Sequence, residues 1–251
     1  MRYEIFGLAV VGAIVIVGPA GAQTAPPAEF TVTGGATLVT DYRFRGESQT
    51  NKDVAVQATA TIQHKSGFYA SFWGSSIDDY VANGSDAELD LIGGYRKTFN
   101  GTTVDGGLLY YVYPGNNGAT TNFAEPYISV AHTLGPVSAK VGGNFAWKQQ
   151  ALGLTGDRRG GAYAYGELSA AVPKTGLTVT GHLGHSFVRN YITFGEAYTD
   201  WSVTAAYTIK QITVGVAYVD TDDQSLSYPS GGGRNKDITK GAVVASIGFA
   251  F

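Results

Sequence analysis

Twelve stretches of about ten residues, each alternating apolar with small or polar side chains, follow one another along the chain after Gln23. A period of two sends successive side chains to opposite faces of a strand, and no helix shares it. The clearest instance interleaves Val54, Val56, Ala58, Ala60 and Ile62 with Ala55, Gln57, Thr59, Thr61 and Gln63. The same pattern predicts strands at 30–45, 54–64, 68–76, 87–97, 102–113, 123–133, 136–147, 161–172, 176–187, 198–208, 212–220 and 239–251. With 35 glycines, 16 Tyr and 12 Phe against one Met among 251 residues, the composition penalises helices and suits strands joined by tight turns. Pro126 is the local conflict: it has no N–H for a ladder, so the sixth strand is expected to begin later or carry a bulge.

The connections alternate in length. Tight links at Lys65-Ser66-Gly67, Asn100-Gly101, Leu134-Gly135, Pro173-Lys174-Thr175 and Ile209-Lys210-Gln211 take turns with polar loops at 46–53, 77–86, 114–122, 148–160, 188–197 and 221–238. An even strand count with short turns on one side and long loops on the other is the up-and-down plan of a transmembrane barrel, with both termini at the short-turn, periplasmic end. Charge sorting favours this over a soluble core. The apolar face carries Leu38, Tyr42, Phe44, Val104, Leu108, Tyr110, Val112, Trp201, Val203, Ala205 and Tyr207. The other face carries Asp41, Arg43, Arg45, Glu88, Asp90, Arg96, Asp105, Glu125, Lys140, Glu167 and Asp200, which a dry core cannot hold and a wet lumen can. The expected fold is therefore an all-β transmembrane up-and-down antiparallel barrel of about 12 strands, lipid-facing outside and polar inside. Aromatic girdles are expected at Phe68, Tyr95, Tyr207, Phe249 and Phe251 on one rim and at Tyr42, Phe44, Phe72, Tyr110, Phe145, Trp147, Trp201 and Tyr218 on the other. Twelve strands lie between barrels that side chains fill and barrels that hold an open pore, and the fourth and sixth long loops are the expected plugs.

Both ends of the chain add to this. Residues 1–22 combine Arg2, an apolar run from Ile5 to Val17 and the small-residue end Ala20-Gly21-Ala22. They read as a cleaved signal peptide, leaving 23–251 as the barrel. The last strand ends in Phe251, with Phe249, Ile247, Ala245 and Val243 on the same face. A terminal Phe there is the expected recognition point for the barrel-assembly machinery, and outer-membrane lipid is the expected surrounding.

Several chemistries are disfavoured. Seventeen basic residues against twenty acidic, with no basic run, offer no footprint for nucleic acid. The absence of Cys removes disulfides, a thiol nucleophile, Cys-ligated metal and a lipid anchor. His182 and His185, three apart in a strand, face opposite ways and share no metal; His182 is expected as a solvated lumen side chain. Asp220, Asp222 and Asp223 read as a solvated acidic loop in preference to a calcium site. Ser186 beside His185 has no acid partner, so no enzyme is expected, and no cofactor is implied.

The stretch Asp41-Tyr42-Arg43-Phe44-Arg45-Gly46-Glu47-Ser48-Gln49-Thr50 resembles a segment near the mature N-terminus of the TorF-family outer-membrane porins of proteobacteria. Residues 67–76 (GFYASFWGSS) and 88–95 (ELDLIGGY) are similar to further segments of that family. The resemblance implies an outer-membrane channel. The reading that joins these strands of argument is a passive channel for small hydrophilic solutes or ions with weak cation preference, lined by Asp41, Arg43, Arg45, Glu88, Asp90, Arg96, Glu125, Lys140, Glu167 and Asp200. The alternative is a closed barrel that presents surface loops for a structural or adhesive role, with an outer-membrane hydrolase behind both.

Overall fold

Each alternating segment pairs with its neighbours in sequence, and the two ends of the series meet. In the computed structural model, which describes residues 29–223, 226–229 and 235–251, the strands run β1 (Phe30–Val39), β2 (Arg43–Phe44), β3 (Glu47–Ser48), β4 (Ala55–His64), β5 (Phe68–Ser76), β6 (Ala87–Phe99), β7 (Thr102–Val112), β8 (Phe123–Leu134), β9 (Val137–Gln149), β10 (Arg159–Ala171), β11 (Leu177–Ser186), β12 (Tyr198–Ile209), β13 (Ile212–Thr221), β14 (Ser227–Pro229), β15 (Asn235–Asp237) and β16 (Ala242–Ala250). Twelve of them close an antiparallel barrel in the order β1-β16-β13-β12-β11-β10-β9-β8-β7-β6-β5-β4, while β2-β3 and β14-β15 are separate two-stranded hairpins. The expected signal segment, 1–22, lies outside the described residues.

The barrel exterior is apolar and exposed. Leu38, Leu91, Ile128, Val141, Leu168, Val203, Val214 and Ile247 stand on the outer face, and the alternate residues face inward, buried or half-buried. In a soluble protein so large an apolar surface would be a liability; against hydrocarbon it is the surface the medium requires, since closure pairs every strand edge. Aromatic residues expected at the rims, among them Phe68, Tyr95, Phe145, Trp147, Tyr207 and Phe249, are exposed on this outer face.

Three expectations need correction. The first strand ends at Val39 and does not continue to Arg45. Tyr42 and Phe44, expected outside, are inside and only 1% and 9% exposed, because the chain turns into the barrel at this point. The sixth barrel strand, β8, neither starts after Pro126 nor bulges there: Pro126 pairs with Leu108 in continuous register with β7. On its other side the ladder to β9 begins only at Tyr127↔Asn144, so the missing N–H faces an open stretch. The Gln149 side chain takes over there, accepting from the Ala124 N–H at 2.9 Å and donating to the Ala124 carbonyl at 2.8 Å. The register irregularity of this region lies instead between Arg159 and Gly161 of β10.

Candidate functional site: the barrel lumen

The lumen is crossed by the segment after β1. Phe44 pairs with Glu47 and Arg43 with Ser48, leaving Arg45 and Gly46 as a two-residue turn with φ of 47° and 87°. Positive φ at both central residues marks the tight hairpin turn whose twist matches antiparallel strands. Every residue from Asp41 to Asn51 is buried. The hairpin leaves the β1/β4 wall and its tip reaches the far side: Arg45 Nη2 donates to both oxygens of Glu125 on β8, at 2.8 and 3.1 Å, and its guanidinium lies 4.3 Å from the Tyr163 ring centre on β10. A side chain at Gly46 would overlap Thr221 and Asp200. The flanks are held as well. Tyr42 packs on Trp73 of β5 at 5.3 Å and donates to Glu88 on β6, Phe44 stands edge-on to Tyr111 of β7, and Tyr198 of β12 donates to Glu47 at 2.9 Å. Arg43 is clamped by Asp41 at 2.6 Å and donates to the carbonyls of Gly46, Ile238 and Lys240. The first long loop thus crosses the lumen, with residues at the end of the sixth loop bracing it and Ala151 and Leu152 of the fourth buried in the same hydrophobic cluster.

Below and around the hairpin the wall divides into two kinds of surface. Over β6 to β12 it is ionic and aromatic. Arg96 donates to Asp105 at 2.8 Å, Lys140 faces Glu167 at 3.7 Å, and His182 lies between Glu167 at 3.4 Å and Asp200 at 3.1 Å. His182 is therefore built into a carboxylate network and is not the freely solvated side chain expected. The phenol ends of Tyr127, Tyr163 and Tyr165, with Tyr69 from the adjoining β5, reach over inward-facing glycines: a Cβ at Gly94, Gly107, Gly142 or Gly184 would collide with one of these phenols. Tyr69 also donates to Asp105, and Tyr163 to Asp200. Over β1, β4, β13 and β16 the wall is neutral, with Thr33, Thr37, Gln57, Thr61, Thr213 and Ser246 around a recess of ≈ 610 Å³ that includes space open to solvent.

The ten residues expected to line a pore all face the interior, but not as one ring. Asp41, Arg43 and Arg45 belong to the hairpin, and Glu88, Asp90, Arg96, Glu125, Lys140, Glu167 and Asp200 to the wall. Sequence reasoning passed over Glu47, Tyr198, Tyr163 and Trp73. Glu47 could have been found from the Arg45-Gly46 pair, since a turn there reverses the parity of the residues after it; Tyr198 and Tyr163 matter only through contacts distant in sequence. The carboxylates are unevenly matched by bases. Asp41, Asp105, Glu125, Glu167 and Asp200 have a cationic or imidazole partner, whereas Glu47 and Glu88 are held by phenols and Asp90 is fully buried with neither oxygen hydrogen-bonded among the described residues. In the hairpin, burial pushes the Glu47 carboxyl well above the ordinary range, reinforced by Asp223 and Asp200 and only partly opposed by the Tyr198 hydrogen bond. Burial also raises Asp41, against the pull of Arg43 and Ser48.

The barrel is similar to solved outer-membrane channels. The NanC porin superposes with a TM-score of 0.55 at 14% identity, covering 88% of this chain and 99% of the other. The KdgM porin, solved in complex with disordered oligogalacturonate, gives 0.56 at 11% identity over 88% and 99%. The COG4313 outer-membrane channel from Pseudomonas putida F1 gives 0.51 at 13% identity over 91% and 99%. At these identities the likeness establishes the porin-type fold alone. Comparison with curated protein sequences finds no match. Residues 22–251, the whole barrel, match the model of the bacterial protein family of unknown function Gcw_chp, and the chain belongs to that family.

Proposed function

We propose that the protein is a porin-like channel of the outer membrane, constricted by the β2–β3 hairpin and passing small hydrophilic solutes or ions with a weak preference for cations. The observation that carries this reading is a closed, lipid-facing barrel whose interior is faced with ionic and hydroxyl groups and whose obstruction is a single hairpin held by ion pairs and hydrogen bonds as well as by aromatic packing. Among the described inward-facing groups, Asp41, Glu47, Glu88, Asp90, Asp105, Glu125, Glu167 and Asp200 outnumber Arg43, Arg45, Arg96 and Lys140, which supports a cation preference that strengthens as the raised carboxyls of the hairpin ionise. The ten residues named from sequence are the proposed lining. Resemblance of the 41–50 segment to TorF-family porins supports the same assignment, and no enzymatic activity is part of it. Residues 1–22 are proposed to be removed on export, and Phe251 to serve assembly.

A closed barrel that works through its surface loops is the second reading, favoured by the burial of every residue from Asp41 to Asn51. Single-channel recording of the refolded mature chain in planar bilayers, with reversal potentials under a KCl gradient, separates the two. Steady cation-preferring openings that grow when residues 42–50 are replaced by a short Gly-Ser linker support the constricted channel. Silence from the folded native chain, with conductance only after that replacement, establishes the closed barrel.

A further inference from the structure

The long-loop rim, the extracellular end in barrels of this kind, is charged unevenly around its circumference. The second loop, 77–86, carries Asp78, Asp79 and Asp86 with no base, and the third, 114–122, carries no charge. The fourth and fifth, 148–160 and 188–197, carry Lys148, Arg158, Arg159 and Arg189 against Asp157 and Glu196. The fold gathers those four bases into one sector. Arg158 Nη2 donates to the Lys148 carbonyl at 3.2 Å and Arg159 Nη1 to the Arg189 carbonyl at 2.9 Å, which stitches the end of β9, the start of β10 and the loop after β11 side by side.

Aromatic side chains fix the depth of this sector. Phe145 and Trp147 of β9 and Phe187, one residue past β11, are exposed at the top of the apolar wall, where such rings sit at the level of lipid headgroups. Lys148 follows Trp147 directly and Arg189 stands two residues after Phe187, so the bases begin where the hydrocarbon ends. Their charge is incompletely matched. Arg159 pairs with Asp157 at 2.7 Å and Arg189 with Glu196 at 3.2 Å, both open to solvent and therefore weak and exchangeable. Lys148 and Arg158 are exposed and have no carboxylate partner among the described residues. Bases beside a membrane attract anionic headgroups, and a guanidinium fork matches the geometry of a phosphate. An apolar wall continuous with such a cluster suits one molecule that carries both acyl chains and phosphate.

We propose that the rim over β9 to β11 binds a phosphate-bearing lipid of the outer leaflet, its acyl chains against Phe145, Trp147 and Phe187 and its phosphate held by Lys148, Arg158 and Arg189. The site does not depend on conduction and would serve either a channel or a closed barrel.

Native mass spectrometry of the refolded full barrel in detergent tests it, with lipid A as the probe and its fully dephosphorylated form as the uncharged counterpart. Retention of lipid A, weakened about tenfold or more for the dephosphorylated form and about tenfold or more by Lys148→Gln/Arg158→Gln/Arg189→Gln, is the expected result. Lys174→Gln/Lys210→Gln, in two exposed short turns at the opposite rim, should leave it unchanged. Folding of each variant is checked by far-UV circular dichroism, and the comparison of the two lipids on the native chain carries the test where the triple variant fails to fold. Equal retention of the two lipids, retention unchanged in the folded triple variant, an equal loss in the short-turn variant, or a complex with inorganic phosphate as tight as that with lipid A each overturns the proposal.

Discussion

Replacing Arg45 by Met keeps most of the side-chain volume and its contacts with Phe44 and Tyr163 but removes the charge that faces Glu125. Glu125 is 0% exposed and would keep only the Tyr111 phenol at 3.1 Å and the Asn144 amide at 3.5 Å. Stranding a buried charge in this way costs about 3–5 kcal/mol, whereas removing both charges together is often close to neutral. Arg45→Met is therefore expected to destabilise by about 3 kcal/mol or more. The double variant Arg45→Met/Glu125→Gln should return to within about 1 kcal/mol of the native chain, a coupling of at least about 2 kcal/mol. Urea unfolding from lipid vesicles, followed by Trp emission, measures it, and Trp73 packed against Tyr42 makes that signal sensitive to the hairpin. A coupling below about 1 kcal/mol is the value of a solvated surface pair, and would refute the view that the hairpin is packed against the far wall.

The raised carboxyls of Glu47 and Asp41 make hairpin docking pH-dependent. Because their docked values lie above the ordinary ones, docking is strongest below about pH 4 and weakens as pH rises through the raised values, so channel openings should become more frequent with rising pH, and Glu47→Gln should flatten the profile recorded in planar bilayers. Gly46→Val puts a β-branched side chain at φ 87° and into Thr221 and Asp200, so the tip cannot seat and conductance should rise with little change in barrel content by circular dichroism. Gly184→Ala meets the Tyr163 phenol and should cost about 1–3 kcal/mol in urea unfolding. Deleting Phe251 removes its two backbone hydrogen bonds with Gly34 and is expected to lower insertion in cells more than refolding in vitro, read by outer-membrane fractionation.

What could be read from the sequence was whatever the medium imposes repeatedly. Lipid on one side and water on the other force the same period on every spanning strand, so Val54 to Gln63 and its eleven counterparts announced themselves. The hairpin was hidden by the same rule. Asp41, Arg43 and Arg45 alternate with Tyr42 and Phe44 just as a spanning strand would, and only the Arg45-Gly46 turn departs from it. An inward-folded segment has the barrel interior on both sides and no lipid, so its alternation does not divide lipid-facing from lumen-facing side chains, and Tyr42 and Phe44 end up packed on Trp73 and Tyr111. The placement of His182 escaped for a related reason: its face was legible, but its carboxylate neighbours come from β10 and β12, and their meeting depends on register. Pro126 misled because ladder continuity was assumed on both sides of the strand, while the structure needs it on one.

The regular ladder of β1 with β16 runs over five residue pairs, Gly35↔Ala250 to Val39↔Ser246, extended at its ends by backbone hydrogen bonds of Gly34 with Phe251 and of Thr40 with Ala245, against ten pairs between β1 and β4. It is the shortest regular ladder in the wall. The hairpin reaches across it from within. Arg43, four residues past the end of β1, donates to the carbonyls of Ile238 and Lys240 just ahead of β16, and the Ser48 N–H donates to Ile238 as well. A segment that obstructs the lumen is thereby also the rivet of the seam, and loosening it to widen the passage would leave the joint between the first and last strands freer to breathe.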